Sequence, residues 1–167
     1  QCGRAPHARW YQPFNATDQT AIAHAIRSCE LDDLADRPLT ELSGGERQRA
    51  WIAMTLAQQT RIVLLDEPTA SLDIGHQLDV MHLLEFLVRR RGLAVVVVLH
   101  ELSLAARFCD RLLVMESGQL VGHMRCGERA DWSMIENVFR VTIDPNASGS
   151  VGPHLPFTRK ADAVTQA

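Results

Sequence analysis

Residues 42–46 read Leu-Ser-Gly-Gly-Glu and could hold an anion. Ser43 and Glu46 have the spacing of a capping box, so the pattern predicts the N-terminus of a helix. Two glycines directly after the cap are unusual, because glycine costs about 1 kcal/mol against alanine inside a helix. They favour a group that approaches the backbone closely. A helix N-terminus offers unpaired N–H groups and a positive dipole, which suit a phosphate, and Ser43 would add a hydroxyl donor. Helix capping alone is the alternative.

A pair of carboxylates follows a short apolar run, where Asp66-Glu67-Pro68 comes after residues 62–65. In parallel α/β sheets, ligands bind at the carboxyl ends of strands, which is where this pair falls. Asp66 could hold Mg²⁺ through its water shell, since Mg²⁺ takes few carboxylates and keeps several waters. Glu67 could polarise an attacking water as general base. Acidic residues also end strands without any chemical role, but the apolar strand and the glycine motif together favour the catalytic interpretation.

Two further polar positions are candidates for the same site. His100 directly follows the valine-rich run 93–99, so we expect it at the same edge of the sheet as the acidic pair. A lone histidine is usually structural, but this position favours a role towards a γ-phosphate or the catalytic water. Ser71-Leu72-Asp73 is ambiguous, because Asp73 is a sufficient helix cap without a further role.

Hydrophobic spacing predicts the elements that must position these residues. The alternation of buried strands and helices predicts an α/β fold, with a mostly parallel sheet covered by helices. A third strand is expected to turn back at Ser117-Gly118. The expected strands are 61–65, 93–99, 112–115 and 119–121, and the expected helices are one capped by Thr17 and Asp18, one over 43–58, one capped by Asp73, one capped by Ser103, and one over 131–139.

The chain is expected to divide into three segments that differ in secondary structure. Its first ten residues read as loop, and Trp51, Met54 and Ala57 are expected to be buried on the second helix. The tail from residue 144 is rich in Pro, Gly and Ser and is expected to be irregular or mobile. The resulting divisions are the helical residues 1–58, the strand-containing residues 59–127, and residues 128–167 with one helix and the tail.

Composition excludes several classes. Apolar residues make up 46% and charged residues 22% of 167 residues, enough for a folded core. A formal net charge of −3 gives no case for nucleic-acid or anionic-membrane binding. The longest apolar run, 93–99, is far short of the about 20 residues that span a bilayer. Four cysteines form no C-x-x-C pair and no secretory signal opens the chain, so reduced thiols and a cytoplasmic location are expected.

In this order and spacing the motifs resemble those of the nucleotide-binding subunit of an ABC transporter. The resemblance covers about residues 3–121 and implies a fold similar to that of P-loop NTPases. Within the family, residues 3–7 and 49–54 and the tail near 138–145 look most like importers of ferric siderophores, haem or cobalamin. Residues 42–46 match the signature motif, 62–67 the Walker B strand with the catalytic glutamate, 71–73 the D-loop, and His100 the switch histidine.

The resemblance implies ATP and Mg²⁺ as cofactors. It implies membrane-embedded permease subunits as partners, docked through the helical segment before Ser43, and a second ATPase subunit in a dimer. It implies a peripheral position on the cytoplasmic face of the plasma membrane, without membrane insertion and without nucleic acid. The implied site comprises Glu67 and His100 as catalytic residues, Ser43, Gly44, Gly45, Glu46 and Asp73 at the nucleotide, and Asp66 at Mg²⁺ through water.

The family's phosphate loop, Gly-x-x-x-x-Gly-Lys-[Ser/Thr], has no match in these residues. Lys160 is the only lysine among 17 Lys and Arg residues, and no glycine-rich turn precedes it. The resemblance is therefore to a C-terminal portion that begins in the helical subdomain and continues through part of the RecA-like core. We expect the chain alone to bind ATP weakly without hydrolysing it, and to expose apolar edges and faces of the sheet.

Two alternatives remain. One is a catalytically silent ABC-type regulatory or binding module, which the missing loop favours and the intact Glu67 and His100 disfavour. The other is a DNA-repair or chromosome-maintenance ABC ATPase. Those proteins separate their motifs with long coiled coils, whereas only a short path joins Glu46 to Asp66 here.

Overall fold

A computed structural model of the chain describes residues 2–7, 13–126, 132–143 and 157–159. They fall in two compact units, Gln1–Leu99 and His100–Ala167, which are described separately. The first unit contains α1 (Ala16–Ser28), α2 (Gly44–Leu56), β1 (Ile62–Asp66), α3 (Ile74–Arg91) and β2 (Ala94–Val98), and the second contains α4 (Leu102–Phe108), β3 (Arg111–Glu116), β4 (Gln119–Arg125), α5 (Ser133–Phe139), β5 (Val141–Ile143) and β6 (Phe157–Arg159).

The start of α1 differs from the prediction. Asn15 is the N-cap, and its Oδ1 accepts a hydrogen bond from the Asp18 N–H at 2.9 Å. Asp18 Oδ2 in return accepts from the Asn15 N–H at 3.1 Å, which completes a capping box. Thr17 and Asp18 lie inside the helix, so their assignment as caps was wrong. Asp18 resembles a cap in sequence because it occupies the third position of that box.

Buried Arg4 holds the first turn of the chain against two helices. Its Nε donates to Asp18 Oδ1 at 2.8 Å, and both side chains are buried. Its Nη1 donates to the Ala57 carbonyl at 3.1 Å and to Gln59 Oε1 at 2.8 Å, just beyond α2. The loop predicted for the first residues therefore includes a 3-10 turn over Cys2–Arg4 that is tied to the rest of the unit.

The core of the first unit lies among its three helices. The predicted burial of Trp51 was wrong, since its exposed fraction is 46%, whereas Ala57 is buried and Met54 half-buried. The buried face of α2 runs through Gly45, Ile52 and Ala53. Trp51 is next to Ile52 and therefore turned by about 100° away from that face.

Strands β1 and β2 form the predicted parallel pair, in register from Ile62 opposite Ala94 to Asp66 opposite Val98. Buried strands were predicted, but the pair is buried on one face only. Val63 is 2% exposed, but Leu64, next along the strand, is 72% exposed. Successive side chains of a strand point to opposite faces, so the described part of the chain covers only one face of this pair.

The predicted cap Asp73 begins α3, and Gly92 ends it in the left-handed conformation. Val80, Met81, Leu84 and Leu87 on α3 are buried. Among the described residues, no helix is long and apolar enough to cross a membrane.

The second unit is built on the predicted hairpin. β3 and β4 pair antiparallel, and Ser117 and Gly118 both have positive φ in the turn between them. Val114, Met124 and Ile135 form a small core beneath one face of the hairpin. The predicted cap Ser103 was wrong, because α4 already begins at Leu102 and has no side-chain cap.

The predicted irregular tail contains one described element. β5 pairs antiparallel with β6, where Val141 lies opposite Arg159. The prediction of an irregular tail was therefore wrong for β6, at Phe157–Arg159. Lys160, Asp144-Pro145 and the expected helix start at residue 131 lie outside the described residues.

Candidate functional site

The signature residues form the N-terminus of α2 as predicted. Ser43 is the N-cap, and its Oγ accepts a hydrogen bond from the Glu46 N–H at 3.3 Å. The Ser43 N–H donates to Glu46 Oε2 at 2.8 Å, and this bond is the main reason that the pKa of the Glu46 carboxyl lies below its usual value. Ser43 is exposed, and its hydroxyl accepts in the box, so the hydroxyl proton is available for a ligand.

The glycines of the signature are packed against residues that precede and begin α3. A Cβ on Gly45 would overlap the ring of His76. A Cβ on Gly44 would lie 3.3 Å from Leu72 Cδ2. The glycines predicted a group close to the backbone, and His76 and Leu72 of the same chain are such groups. The structure brings the signature and the segment around Asp73 together in one unit.

Asp73 and His76 form a linked pair at the start of α3. Asp73 Oδ1 accepts from the His76 N–H at 3.0 Å, and Asp73 Oδ2 lies 2.7 Å from His76 Nδ1. The backbone bond, followed by the side-chain bond, lowers the pKa of the Asp73 carboxyl. Sequence reasoning missed His76. Its signal was the spacing of three residues from a predicted aspartate cap, which puts it at the N3 position of the helix.

The turn after β1 contains two residues in an unfavourable backbone conformation. Glu67 has φ of 46° and Ser71 has φ of 63°, a region that residues other than glycine adopt infrequently. The neighbouring Thr69 is buried, and its carbonyl accepts from Gln77 Nε2 at 3.4 Å. Backbone strain of this kind concentrates at functional sites, where the surrounding structure stabilises it.

Asp66 ends β1 as an exposed carboxylate opposite Val98. The described residues contain no group of three His, Cys, Asp or Glu side chains that could hold a metal ion. A single carboxylate does fit Mg²⁺ that keeps most of its own waters or takes oxygens from a phosphate. Asp66 therefore fits the role predicted for it at Mg²⁺. The described side chains do not form a site that would enclose a metal ion by themselves.

His100 is exposed and follows β2 after Leu99. It begins the second unit, while Asp66 and Glu67 belong to the first. The shared location of these three side chains at one sheet edge stays a prediction. Within the first unit, the structure brings together Ser43, Gly44, Gly45, Glu46, Asp73 and His76.

Comparison with known proteins relates the chain to ATP-binding proteins of ABC transporters. A family model described as ABC transporter matches residues 5–70, which include the signature and the acidic pair. The chain is 51% identical over 143 residues to the hemin import ATP-binding protein of Rhodococcus jostii, covering 86% of the chain and 47% of that protein. It is 42% identical over 147 residues to the achromobactin transport ATP-binding protein of Dickeya dadantii, covering 86% and 55%. The chain thus spans about half the length of the curated relatives it matches.

Solved structures give the same relationship at the level of fold. An inward-facing metal-chelate type ABC transporter is matched with a TM-score of 0.77 and 26% identity, over 84% of this chain and 56% of that one. An ATP-binding cassette in a dimeric post-hydrolysis state with ADP and Pi is matched with a TM-score of 0.57 and 29% identity, over 71% and 51%.

Proposed function

The chain belongs to the ABC transporter family, and from this premise we propose that it forms part of the ATP-binding subunit of an importer for ferric siderophores or haem. The observation that carries the proposal is the packing of Gly45 against His76 and of Gly44 against Leu72. This packing presents the exposed Ser43 hydroxyl and the start of α2 beside the turn that follows the acidic pair. The relatives named for hemin import and for siderophore transport favour a haem or siderophore cargo over cobalamin.

In this proposal Ser43, Gly44 and Gly45 receive a phosphate of an ATP molecule that another subunit holds. The N–H groups at the start of α2 and the Ser43 hydroxyl donate to the phosphate oxygens. Glu46 and Asp73 are positioning residues, since their carboxylates already accept hydrogen bonds from Ser43 and His76. Their negative charges near two helix N-termini also stabilise those helices.

The hydrolytic step rests on the turn after β1 and on His100. Glu67 accepts a proton from the attacking water. The positive φ of Glu67 sets the direction in which its side chain leaves the backbone. His100 contacts the γ-phosphate or the attacking water. Mg²⁺, when bound through water to Asp66, would neutralise charge on the phosphates. The partners would be a second ATPase subunit and membrane-embedded permease subunits, with the ATPase at the cytoplasmic face of the membrane.

A chimera tests this function directly. The chain is joined, in the relative's own order, to the part of the Rhodococcus jostii hemin import ATP-binding protein that it does not match. We expect the chimera to hydrolyse ATP, and Glu67→Gln to lower kcat by about 100-fold or more, because general-base catalysis contributes at least about that factor. The measurement is steady-state phosphate release with Mg-ATP.

Glu41→Gln is the matched control, since Glu41 is an exposed glutamate in the turn before the signature. It should leave kcat within about twofold, as expected for a surface substitution away from the site. A folded chimera without ATPase activity would favour the silent regulatory module. Unchanged turnover in Glu67→Gln would remove Glu67 from the catalytic role.

A further inference from the structure

A cavity of about 620 Å³ lies among the three helices of the first unit. Its lining residues include three arginines and two acidic residues, Arg27, Arg49, Arg91, Glu30 and Asp79. None of these residues belongs to the site proposed for nucleotide. Arg27 is paired with Asp32, whereas no described carboxylate lies within ion-pair distance of Arg49 or Arg91, and these two guanidinium groups favour an anionic ligand.

Arg49 has a guanidinium nitrogen without a hydrogen-bond partner among the described residues. This nitrogen, Nε, is sealed from solvent. A buried donor that is part of a charged group is costly to leave unpaired, and the described residues do not supply the acceptor that Arg49 lacks. Arg49 lies on α2, and its side chain lines the cavity.

Arg91 supplies a second guanidinium from the last turn of α3. Its Nη2 donates to Ser28 Oγ at 2.8 Å, and its Nη1 lies 3.0 Å from His24 Nδ1. Burial, followed by the charges of Arg91 and Arg27, lowers the pKa of His24. These contacts hold Arg91 in place without neutralising it, since neither Arg49 nor Arg91 forms an ion pair within the described part of the chain. Arg27, by contrast, lies 3.7 Å from Asp32 Oδ1.

The same cavity has an apolar wall. Leu83 and Phe86 of α3 line it, and the exposed fraction of Phe86 is 47%. Arginine matches the geometry and charge of phosphate well, and an exposed aromatic ring offers a surface for an apolar or aromatic group. We propose that this cavity binds a small organic phosphate, with the phosphate paired to Arg49 and Arg91 and the organic group against Phe86.

The test is titration of the 167-residue chain with phenyl phosphate by isothermal calorimetry at low ionic strength. We expect saturable binding whose Kd rises about tenfold in Arg49→Gln and in Arg91→Gln, because each removes a charge-assisted hydrogen bond. Arg90→Gln is the matched control, since Arg90 is an exposed arginine of α3 that does not line the cavity. Its Kd should stay within twofold of the unchanged chain.

Further ligands separate the two halves of the proposal. Inorganic phosphate should bind more weakly than phenyl phosphate, and Phe86→Ala should remove that difference. Benzoate should bind more weakly than phenyl phosphate, and equal binding would replace phosphate by carboxylate as the ligand class. Ser43→Ala should leave the Kd for phenyl phosphate unchanged, which separates this cavity from the proposed nucleotide site.

A second measurement detects the binding in the unchanged chain and uses conservative variants for assignment only. In the unchanged chain, ¹⁵Nε–¹H correlation spectra should show phenyl phosphate shifting two arginine signals strongly and the rest little. Arg49→Lys and Arg91→Lys assign those two signals by their disappearance. No saturable binding of phenyl phosphate, or shifts in signals other than those of Arg49 and Arg91, would overturn the proposal.

Discussion

Gly45 shows how one residue can be required for two different reasons. Its position after the Ser43 cap leaves the backbone N–H groups accessible to a phosphate, which the motif itself indicates. The contact with His76 adds a packing reason that the motif alone did not reveal. Gly44 has the weaker version of this contact, with the flexible end of Leu72 at 3.3 Å from where its Cβ would lie.

The two glycines should therefore respond differently to alanine. Alanine is favoured over glycine by about 1 kcal/mol in a helix, so Gly44→Ala should be neutral or stabilise the chain slightly. Gly45→Ala should destabilise it by about 1–3 kcal/mol, because the added methyl group must displace the His76 ring. Urea denaturation followed by circular dichroism measures both.

His76→Ala in the background of Gly45→Ala gives the corresponding control. It opens space for the methyl group, so the double variant should lose less stability than the two single variants together. Additive losses would mean that His76 is not the group that excludes a side chain at position 45.

At the scale of elements, the start of α3 depends on one carboxylate. Asp73 accepts hydrogen bonds from both the backbone and the ring of His76, and its pKa is lowered in the folded chain. An unfolded aspartate titrates near about pH 3.9. A lowered folded-state pKa means that the bonds stabilise the chain above that pH, and that the stabilisation is lost as the pH falls through the folded-state pKa.

Asp73→Asn should reveal this dependence. The substitution keeps an oxygen that can cap the helix but removes the charge. We expect the unchanged chain to be more stable than Asp73→Asn at pH 6, and the difference to shrink as the pH falls below the unfolded value of about 3.9 and through the lowered folded-state pKa. Unfolding free energies from urea titrations at a series of pH values give the comparison. Asp33→Asn, at an exposed position, should show no such pH-dependent difference, and a constant gap for Asp73→Asn would exclude the electrostatic cause.

Most elements could be predicted because their signals are local. The Asp73 cap, the Ser43 capping box and the Ser117-Gly118 turn depend on neighbouring residues, and each was found where it was predicted. The errors have different causes. Asp18 was taken for a cap because it occupies the third position of a local capping box that Asn15 begins. Trp51 was expected in the core because apolar character does not show which face of α2 packs.

For the candidate site too, local motifs could be recognised in the sequence, whereas contacts between distant residues could not. The motifs predicted which residues carry the chemistry, and the roles of those residues stay proposals. Spacing could not reveal that the signature and the residues around Asp73 touch, because the contact joins α2 to α3 across an intervening strand. The strained φ of Glu67 was equally invisible, since glutamate carries no propensity for that conformation.

At the scale of the molecule, one face of the β1–β2 pair is exposed and apolar. Ile62 and Leu64 on β1 are 60% and 72% exposed, and Val96 and Val98 on β2 are 49% and 48% exposed. They form a contiguous apolar face, because alternate residues of paired parallel strands share one side. A face of this kind, next to strand edges that no described strand pairs, favours association between copies.

We therefore expect the 167-residue chain to self-associate and to melt broadly. Leu64→Lys should reduce the apparent mass in sedimentation velocity, because a charge at the centre of the face opposes contact between copies. Val63→Lys is the contrasting variant, since Val63 is 2% exposed on the opposite side of the same strand and its charge would be buried. It should unfold the chain and increase association. A monodisperse monomer with a sharp two-state melt would show that the face does not drive association, whereas an effect of Leu64→Lys on mass without a loss of stability would identify it as the contact surface.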